Sequence, residues 1–436
     1  MVSLLAAWSE TISMSYGEVR IKSSIIRKKR CTRSNNLKNL PSISRNIVML
    51  STLRKPEFLK LYSIPLISVS IGSMSNSIAI LFALDLGATI LQVNLINTVR
   101  STMAILLLIP FGILSDRYGR KPMILYPRAI MFIGTLIRVF ARTPHHLIIA
   151  SIVGGFSGGS YFPILLSMIA DISNEEEQRE GISTLFLFSS VGMVVGPSLA
   201  AFLLLYPQIT MRNIYQITAI AELGALFYLA LIIKETNPTG AKEKIEFLPQ
   251  IKQLISKTSF QGLFIVAFLY SFYHSIFRTY TPIYGRLVLD LSDAQIASFN
   301  SYRNIGVMLI RLSLATFLTR SSISVFLLVV LVLGGVAGLL VSFATNYTFM
   351  VLILFFVGVS FGAFRILTST LVANNSVPEN RGLANSLLNF SQSTGNLVNI
   401  FTSSIVEVYG FVPVFLLGGF TCLSAIIPTL RAKLGR

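Results

Sequence analysis

Residues 112–121 read GILSDRYGRK. Asp116, Arg117, Arg120 and Lys121 fall within these ten positions, and the flanking stretches 93–114 and 123–141 are mainly apolar. At 1.5 Å per residue, a helix of about twenty residues crosses a hydrocarbon core of roughly 30 Å. The charged decapeptide therefore reads as a tight connection at a membrane face between two spanning helices. Gly112 permits close helix approach and Gly119 a sharp turn. Asp116, Arg117 and Arg120 can make charge-assisted hydrogen bonds that latch helix ends together.

Working outward, apolar runs of similar length recur at 59–84, 147–170, 182–205, 214–233, 260–284, 296–318, 323–343, 349–372, 383–406 and 411–430. Of 436 residues, 53% are hydrophobic and 12% charged, against roughly 25% charged in a soluble domain. The expected fold class is an all-α membrane protein of twelve spans, numbered here in chain order. An even number of crossings puts both ends on one face. That face gathers Arg117, Arg120, Lys121, Lys242, Lys244, Lys252, Arg381, Arg431 and Lys433, and the other offers little beyond Arg142, Arg212 and Arg286. The positive-inside rule then predicts a multi-pass cell-membrane protein with both termini cytoplasmic.

The net charge of +18 does not point to nucleic acid, because the excess lies in the tails, the connections and several spans rather than on a soluble basic face. The bilayer and its anionic headgroups are the expected partners of the tails. Residues 1–58, with the cluster IIRKKRCTR, read as a basic cytoplasmic tail, and Met49 is an alternative start. Cys31 and Cys422 suggest no disulfide framework. No motif calls for a metal or another cofactor. A membrane enzyme would need a clustered nucleophile, acid pair or metal site, and a receptor a sizeable soluble domain; the sequence offers none of these.

The chain also repeats itself. At an offset of 203 residues, NTVR ending at Arg100 falls on NSYR ending at Arg303, Gly155 on Gly358, Gly159 on Gly362 and Tyr161 on Phe364. LDL at 84–86 has a counterpart at 289–291, and QREG at 178–181 matches NRG at 380–382 after a one-residue gap. The predicted domains are a six-helix bundle over 59–233, a cytoplasmic linker over 234–258 containing ETNPTGAKEK, a second bundle over 259–430 and a short tail over 431–436. Each half has an even number of spans, so the copies run parallel and pseudo-symmetric.

With these features in place, GILSDRYGRK resembles the signature loop Gly-x-Leu-x-Asp-Arg-x-Gly-Arg-Arg/Lys of the major facilitator superfamily, between the helices where that family carries it. PENRG at 378–382 extends the likeness. The resemblance implies a secondary transporter working by alternating access. It also implies a cytoplasmic gate of Gly112, Asp116, Arg117, Gly119 and Arg120, with Asp171, Arg179 and Arg381 completing the network. The partner loop FLTRSSIS keeps only Arg320, so the two latches are expected to differ. GMVVGPSLAA at 192–201 in span 5 resembles the family's antiporter motif through Gly192, Gly196 and Pro197, with Ala200 and Ala201 replacing its final glycines. Drug antiporters of the family carry an arginine early in span 4, where this chain has Ser151. Asp85, the nearest acid in span 1, belongs to its outer end. Both departures argue against proton-for-cation drug exchange.

Charges within the spans are lopsided. Arg100, Arg128, Arg138, Arg278, Arg303, Arg311 and Arg365 face one deep acid, Glu222. A cation at mid-bilayer costs about 3 kcal/mol and ordinarily faces a cavity or a partner. Arg128 and Arg138 can snorkel toward opposite ends of span 3, or one can pair with Glu222; Arg311 is near enough to an end to snorkel. Arg100 and Arg303 are related by the repeat and lie near mid-membrane, each one turn from Asn97 or Asn300. They are expected to converge on one substrate-binding site, extended by Arg278 and Arg365. The expected cargo is a small organic or inorganic anion. His274 and Glu222 are the candidates for coupling to protons. The competing expectation is a multidrug efflux or sugar carrier in which the arginines are structural. A monomer suffices for either.

Overall fold

A computed structural model describes residues 52–158, 161–236, 254, 256–317, 323–376 and 381–432. Nearly all of the basic tail, most of the 234–258 linker and the last four residues lie outside these. The first bundle comprises span 1 (Pro56–Asp85), span 2 (Ile90–Tyr118), span 3 (Arg120–Val139), span 4 (Pro144–Gly158, then Tyr161–Ile172), span 5 (Glu175–Leu203) and span 6 (Met211–Ile232). The second comprises span 7 (Thr258–Leu287), span 8 (Asp293–Phe317), span 9 (Ile323–Val341), span 10 (Tyr347–Asn375), span 11 (Arg381–Val398 and Thr402–Tyr409 across a 3-10 turn, Asn399–Phe401) and span 12 (Phe411–Ser424, then Ile426–Arg431). Among the described residues there is no strand, and eight helices are long and apolar enough to cross a membrane. Spans 2, 4, 8 and 11 are outside that eight, span 4 because it is made of two shorter helices. Spans 2, 8 and 11 are the polar ones, carrying Asn94, Asn97 and Arg100, Asn300, Arg303 and Asn304, and Asn396 and Asn399.

The repeat governs the packing. In the first bundle span 1 packs on spans 5 and 6, span 2 on span 4, and span 3 on spans 4 and 6. In the second, span 7 packs on spans 11 and 12, span 8 on span 10, and span 9 on spans 10 and 12. Helix starts repeat as well. Thr89 and Gln92 form a reciprocal capping box before span 2, and Ser292 and Gln295 form the same box before span 8, 203 residues on. Such a box satisfies two backbone donors that a helix start leaves open. Where spans 2 and 4 cross, a Cβ at Gly155 would press on the Arg100 carbonyl; where spans 8 and 10 cross, one at Gly358 would collide with the Arg303 carbonyl.

One match shifts register. The left-handed residues that close spans 1 and 7 are Gly87 (φ 79°) and Asp290 (φ 49°), again 203 apart. The LDL pair, 205 apart, is therefore not the structurally equivalent one.

Candidate functional site

Spans 1, 2, 3 and 4 enclose a cavity of about 300 Å³ whose wall includes Ser75, Asn76, Arg100, Ser101, Met131 and Arg138. Arg100 Nη1 donates to Asn76 Oδ1 from span 1, so a neutral amide, rather than an acid, holds this cation. Arg138 reaches the cavity across span 4 because residue 154 is glycine; a methyl there would sit 3.3 Å from Arg138 Nη2. A connected recess adds Asn97, Ser151 and Tyr215 to Arg100 and Arg138. The position expected to lack a basic group, Ser151, thus has the Arg138 guanidinium for a neighbour.

The recess between the bundles is lined by Asn94, Asn97, Thr98, Ser275, Arg278 and Asn396, among others. Arg278 is a charged neighbour of both Arg100 and Arg303. Arg303 donates through Nη2 to Asn300 Oδ1 at 2.7 Å on its own helix and is not on the wall of the Arg100 cavity. Arg138 is a further charged neighbour of Arg100. His274 stacks flat on Phe361, ring centres 3.9 Å apart, its Nε2 without a hydrogen bond and Arg303, Arg278 and Arg365 its charged neighbours. Arg365 is exposed. Among the described residues lining these recesses there is no carboxylate.

Three arginines do not snorkel. Arg128 is 9% exposed, with its guanidinium 4.7 Å above the Tyr161 ring. Arg138 lines the cavity, and Arg311 Nη1 donates to Ser190 Oγ of span 5 at 3.0 Å. Glu222, in span 6, is 5% exposed, with Arg128 and Arg138 as its charged neighbours.

At the face bearing the chain ends, Gly119 (φ 97°) turns the chain into span 3. Glu235, just past span 6, then caps that helix: Oε1 accepts from the Arg120 amide at 2.8 Å and Oε2 from the Lys121 amide at 2.9 Å. Arg120 Nε lies 3.4 Å from Asp171 Oδ2, which also accepts from Thr236 Oγ1 at 2.8 Å. Gly112 lies within span 2, and the side chains of Asp116, Arg117, Arg179 and Arg381 lie outside the described residues. In span 5, Gly192 faces the Leu66 carbonyl and Gly196 the Ser70 carbonyl of span 1, both too close to admit a Cβ. Pro197 follows within the same helix, and the next residue, Ser198, meets Ser301 of span 8 at 3.0 Å. Gly395 of span 11 notches onto Phe268 of span 7 in the same way.

At the opposite face the bundles meet. Asn94, 1% exposed, donates to Tyr280 Oη at 2.8 Å and Ser403 Oγ at 2.9 Å, and accepts from Asn399 Nδ2 at 3.1 Å. Arg286 Nη2 pairs with Asp85 at 2.6 Å and Nη1 with Asp293 at 3.7 Å. Asn399 also accepts from Thr402 Oγ1 at 2.9 Å; this side-chain bonding competes with the helix and marks the break in span 11. Sequence reasoning missed Asn76, Asn94 and Glu235 as partners and did not place Arg138 on the cavity wall. The asparagines were visible as amides inside apolar runs, while Glu235 carried no signal.

Residues 63–398 match the profile of the Major Facilitator Superfamily. The quinolone resistance protein NorA of Staphylococcus aureus is 23% identical over 393 residues, 88% of this chain and 99% of that protein. The bacillibactin exporter of Bacillus subtilis is 31% identical over 150 residues, 33% of this chain and 37% of that protein. Among solved structures, the nucleoside transporter NupG superposes with a TM-score of 0.74 at 14% identity, covering 86% of this chain and 99% of that one. The human organic anion transporter MFSD10 (TETRAN) superposes with a TM-score of 0.60 at 16% identity, covering 89% and 100%.

Proposed function

The chain belongs to the major facilitator superfamily of membrane transporters, and from that premise we propose that its cargo is a small organic or inorganic anion, exposed to either face in turn as the two bundles rock. The observation that carries this reading is the cavity lining: Arg100 and Arg138 on one wall and Arg278 next to it, with amides and hydroxyls between and no carboxylate among the lining residues. Guanidinium groups gathered in a low-dielectric site repel one another and favour an anion, which they grip through paired N–H groups. The volume of about 300 Å³ is at the small end for ligand pockets. Arg303, Asn300, Asn97 and Arg365 extend the positive field along the path between bundles. Protons are the coupling ion in this reading, with Glu222 and His274 as the groups that would take them. The carrier works as a monomer, with both termini in the cytoplasm and the basic tail against anionic lipid. Gly112, Asp116, Arg117, Gly119, Arg120, Asp171, Arg179 and Arg381 form its cytoplasmic gate.

A second reading is drug efflux with structural arginines, favoured by the NorA likeness, which spans 99% of that protein. Proteoliposomes separate the two. Benzoate, citrate and sulfate are tested against a quinolone and a cationic dye, in wild type and in Arg100→Gln and Arg303→Gln. The anion reading requires saturable anion uptake that both variants lose at unchanged expression. Dye or quinolone transport that neither substitution affects, with no anion uptake, overturns it.

A further inference from the structure

The cavity around Arg100 has two unlike ends. Asn76 of span 1 accepts from Arg100 of span 2, which fixes the level of these two helices against each other. Gly72 lies four residues before Asn76, and Ala104 four after Arg100. Because spans 1 and 2 run in opposite directions, both small residues fall one helical turn, about 6 Å, nearer the face bearing the chain ends, and both line the cavity. Met131 of span 3 lines it as well, seven residues before Arg138 and so about 10 Å of rise from it. One end therefore gathers Asn76, Arg100 and Arg138, and the other is walled by Gly72, Ala104 and Met131.

The apolar end is held open. Met131 Sδ accepts from Arg128 Nη1 at 3.7 Å, and the Met131 methyl stands 3.8 Å from the place a Cβ on Gly72 would take, an ordinary contact with room beside it. On the other side, the recess beyond Arg100 and Arg138 holds only about 20 Å³, room for about one water. The cavity itself, at about 300 Å³, is far larger. A tetrahedral oxyanion held at the guanidinium end would leave Gly72, Ala104 and Met131 facing trapped water, whereas an apolar body there gains about fourfold in affinity for each buried methylene.

We infer that the cargo is an amphipathic monocarboxylate, its head on Arg100 and Arg138 and its alkyl or aryl body against Gly72, Ala104 and Met131, with Gly72 setting the length of body admitted. The inference rests on the anion reading and names the class of anion. A carboxylate offers two oxygens with about four acceptor sites, enough for two guanidinium groups at one end. Asn76 orients the first of these, and the second reaches the cavity past Gly154. A second carboxylate on the body would be stranded, because no cation lines the Met131 end among the described residues.

The test is binding of acetate, butyrate and hexanoate at about pH 7.5, where all are ionised, to the full-length protein in nanodiscs, with empty nanodiscs subtracted and with sulfate and hexanol in parallel. In wild type, affinity should climb about fourfold per methylene, hexanoate should bind more tightly than sulfate, and hexanol should bind far more weakly than hexanoate. Gly72→Ala, whose methyl finds an ordinary contact, should lower the ratio of hexanoate to acetate affinity about fourfold, one methylene's worth of space. Met131→Ala should carry the rise on to octanoate. Wild type that binds acetate and hexanoate equally, or sulfate more tightly than hexanoate, overturns the amphipathic cargo and leaves the anion reading intact; this series does not depend on any variant folding. So does a hexanoate-to-acetate ratio that neither Gly72→Ala nor Met131→Ala changes. Hexanol bound as tightly as hexanoate, or no anion bound at all, overturns both.

Discussion

Replacing Asn94 with alanine should open the face opposite the chain ends. The side chain is 1% exposed, and its three bonds, to Tyr280, Ser403 and Asn399, all cross from the first bundle to the second. They can exist only while the bundles meet there. At about 1 kcal/mol net for each bond, their loss removes about 3 kcal/mol from that arrangement alone. The orphaned partners add little: Tyr280 keeps Thr402 at 2.7 Å, and Ser403 keeps the Ile400 carbonyl at 2.8 Å. The Asp85–Arg286 pair at the rim is partly exposed, at 37% and 31%, and such pairs hold about 0–1 kcal/mol, too little to compensate. The equilibrium between closed and open should therefore move about 100-fold. Spin labels at exposed Tyr206 and Tyr409, one per bundle on that face, with Cys31 and Cys422 replaced, would report it by pulsed dipolar spectroscopy. A longer-distance population should appear in Asn94→Ala. An unchanged distance distribution would refute the claim that this amide holds the face shut.

Other substitutions test the packing and the site. Gly358→Ala, whose Cβ meets the Arg303 backbone, should destabilise the protein by about 1–3 kcal/mol, read as a lower melting temperature in detergent. Gly224→Ala, which has open space around it, should instead raise that temperature slightly, by about 0.5–1 kcal/mol of helix stability. Glu235→Ala strips the cap from span 3 and should cost about 1–2 kcal/mol, with faster hydrogen exchange at the Arg120 and Lys121 amides. Gly154→Val places its side chain on Arg138 Nη2 and should abolish anion uptake while the protein still reaches the membrane; full uptake would show that Arg138 does not need that path.

The spans were legible because apolar length is a direct physical demand of the bilayer. Their starts were read two or three residues late in most cases: span 2 begins at Ile90 rather than 93, and span 8 at Asp293 rather than 296. Spans 2, 5, 6, 8 and 10 start on a polar cap outside the apolar run, which hydropathy alone cannot see. The signal was nonetheless present, as Thr89-x-x-Gln92 and Ser292-x-x-Gln295, for a reader attending to capping boxes. The break in span 11 was not legible, since it depends on Asn399 meeting Asn94, a residue 305 positions away. At the site, mid-membrane depth singled out Arg100. It could not reveal that Arg138, nearer a helix end, turns inward past Gly154 and that Arg303 bonds its own helix. Rotation about the helix axis decides those outcomes, and tertiary packing sets it.

The paired capping boxes bear on how the polypeptide could be divided. Each bundle has its own start signals and its own crossing notches, and Glu235 anchors the end of the first bundle back onto its own third helix. Boundary information is thus stored twice, once per half. Two separately translated fragments, severed in the stretch between them, would each hold the instructions for their own helix ends and would need from the other only the seam along spans 5 and 8 and spans 2 and 11.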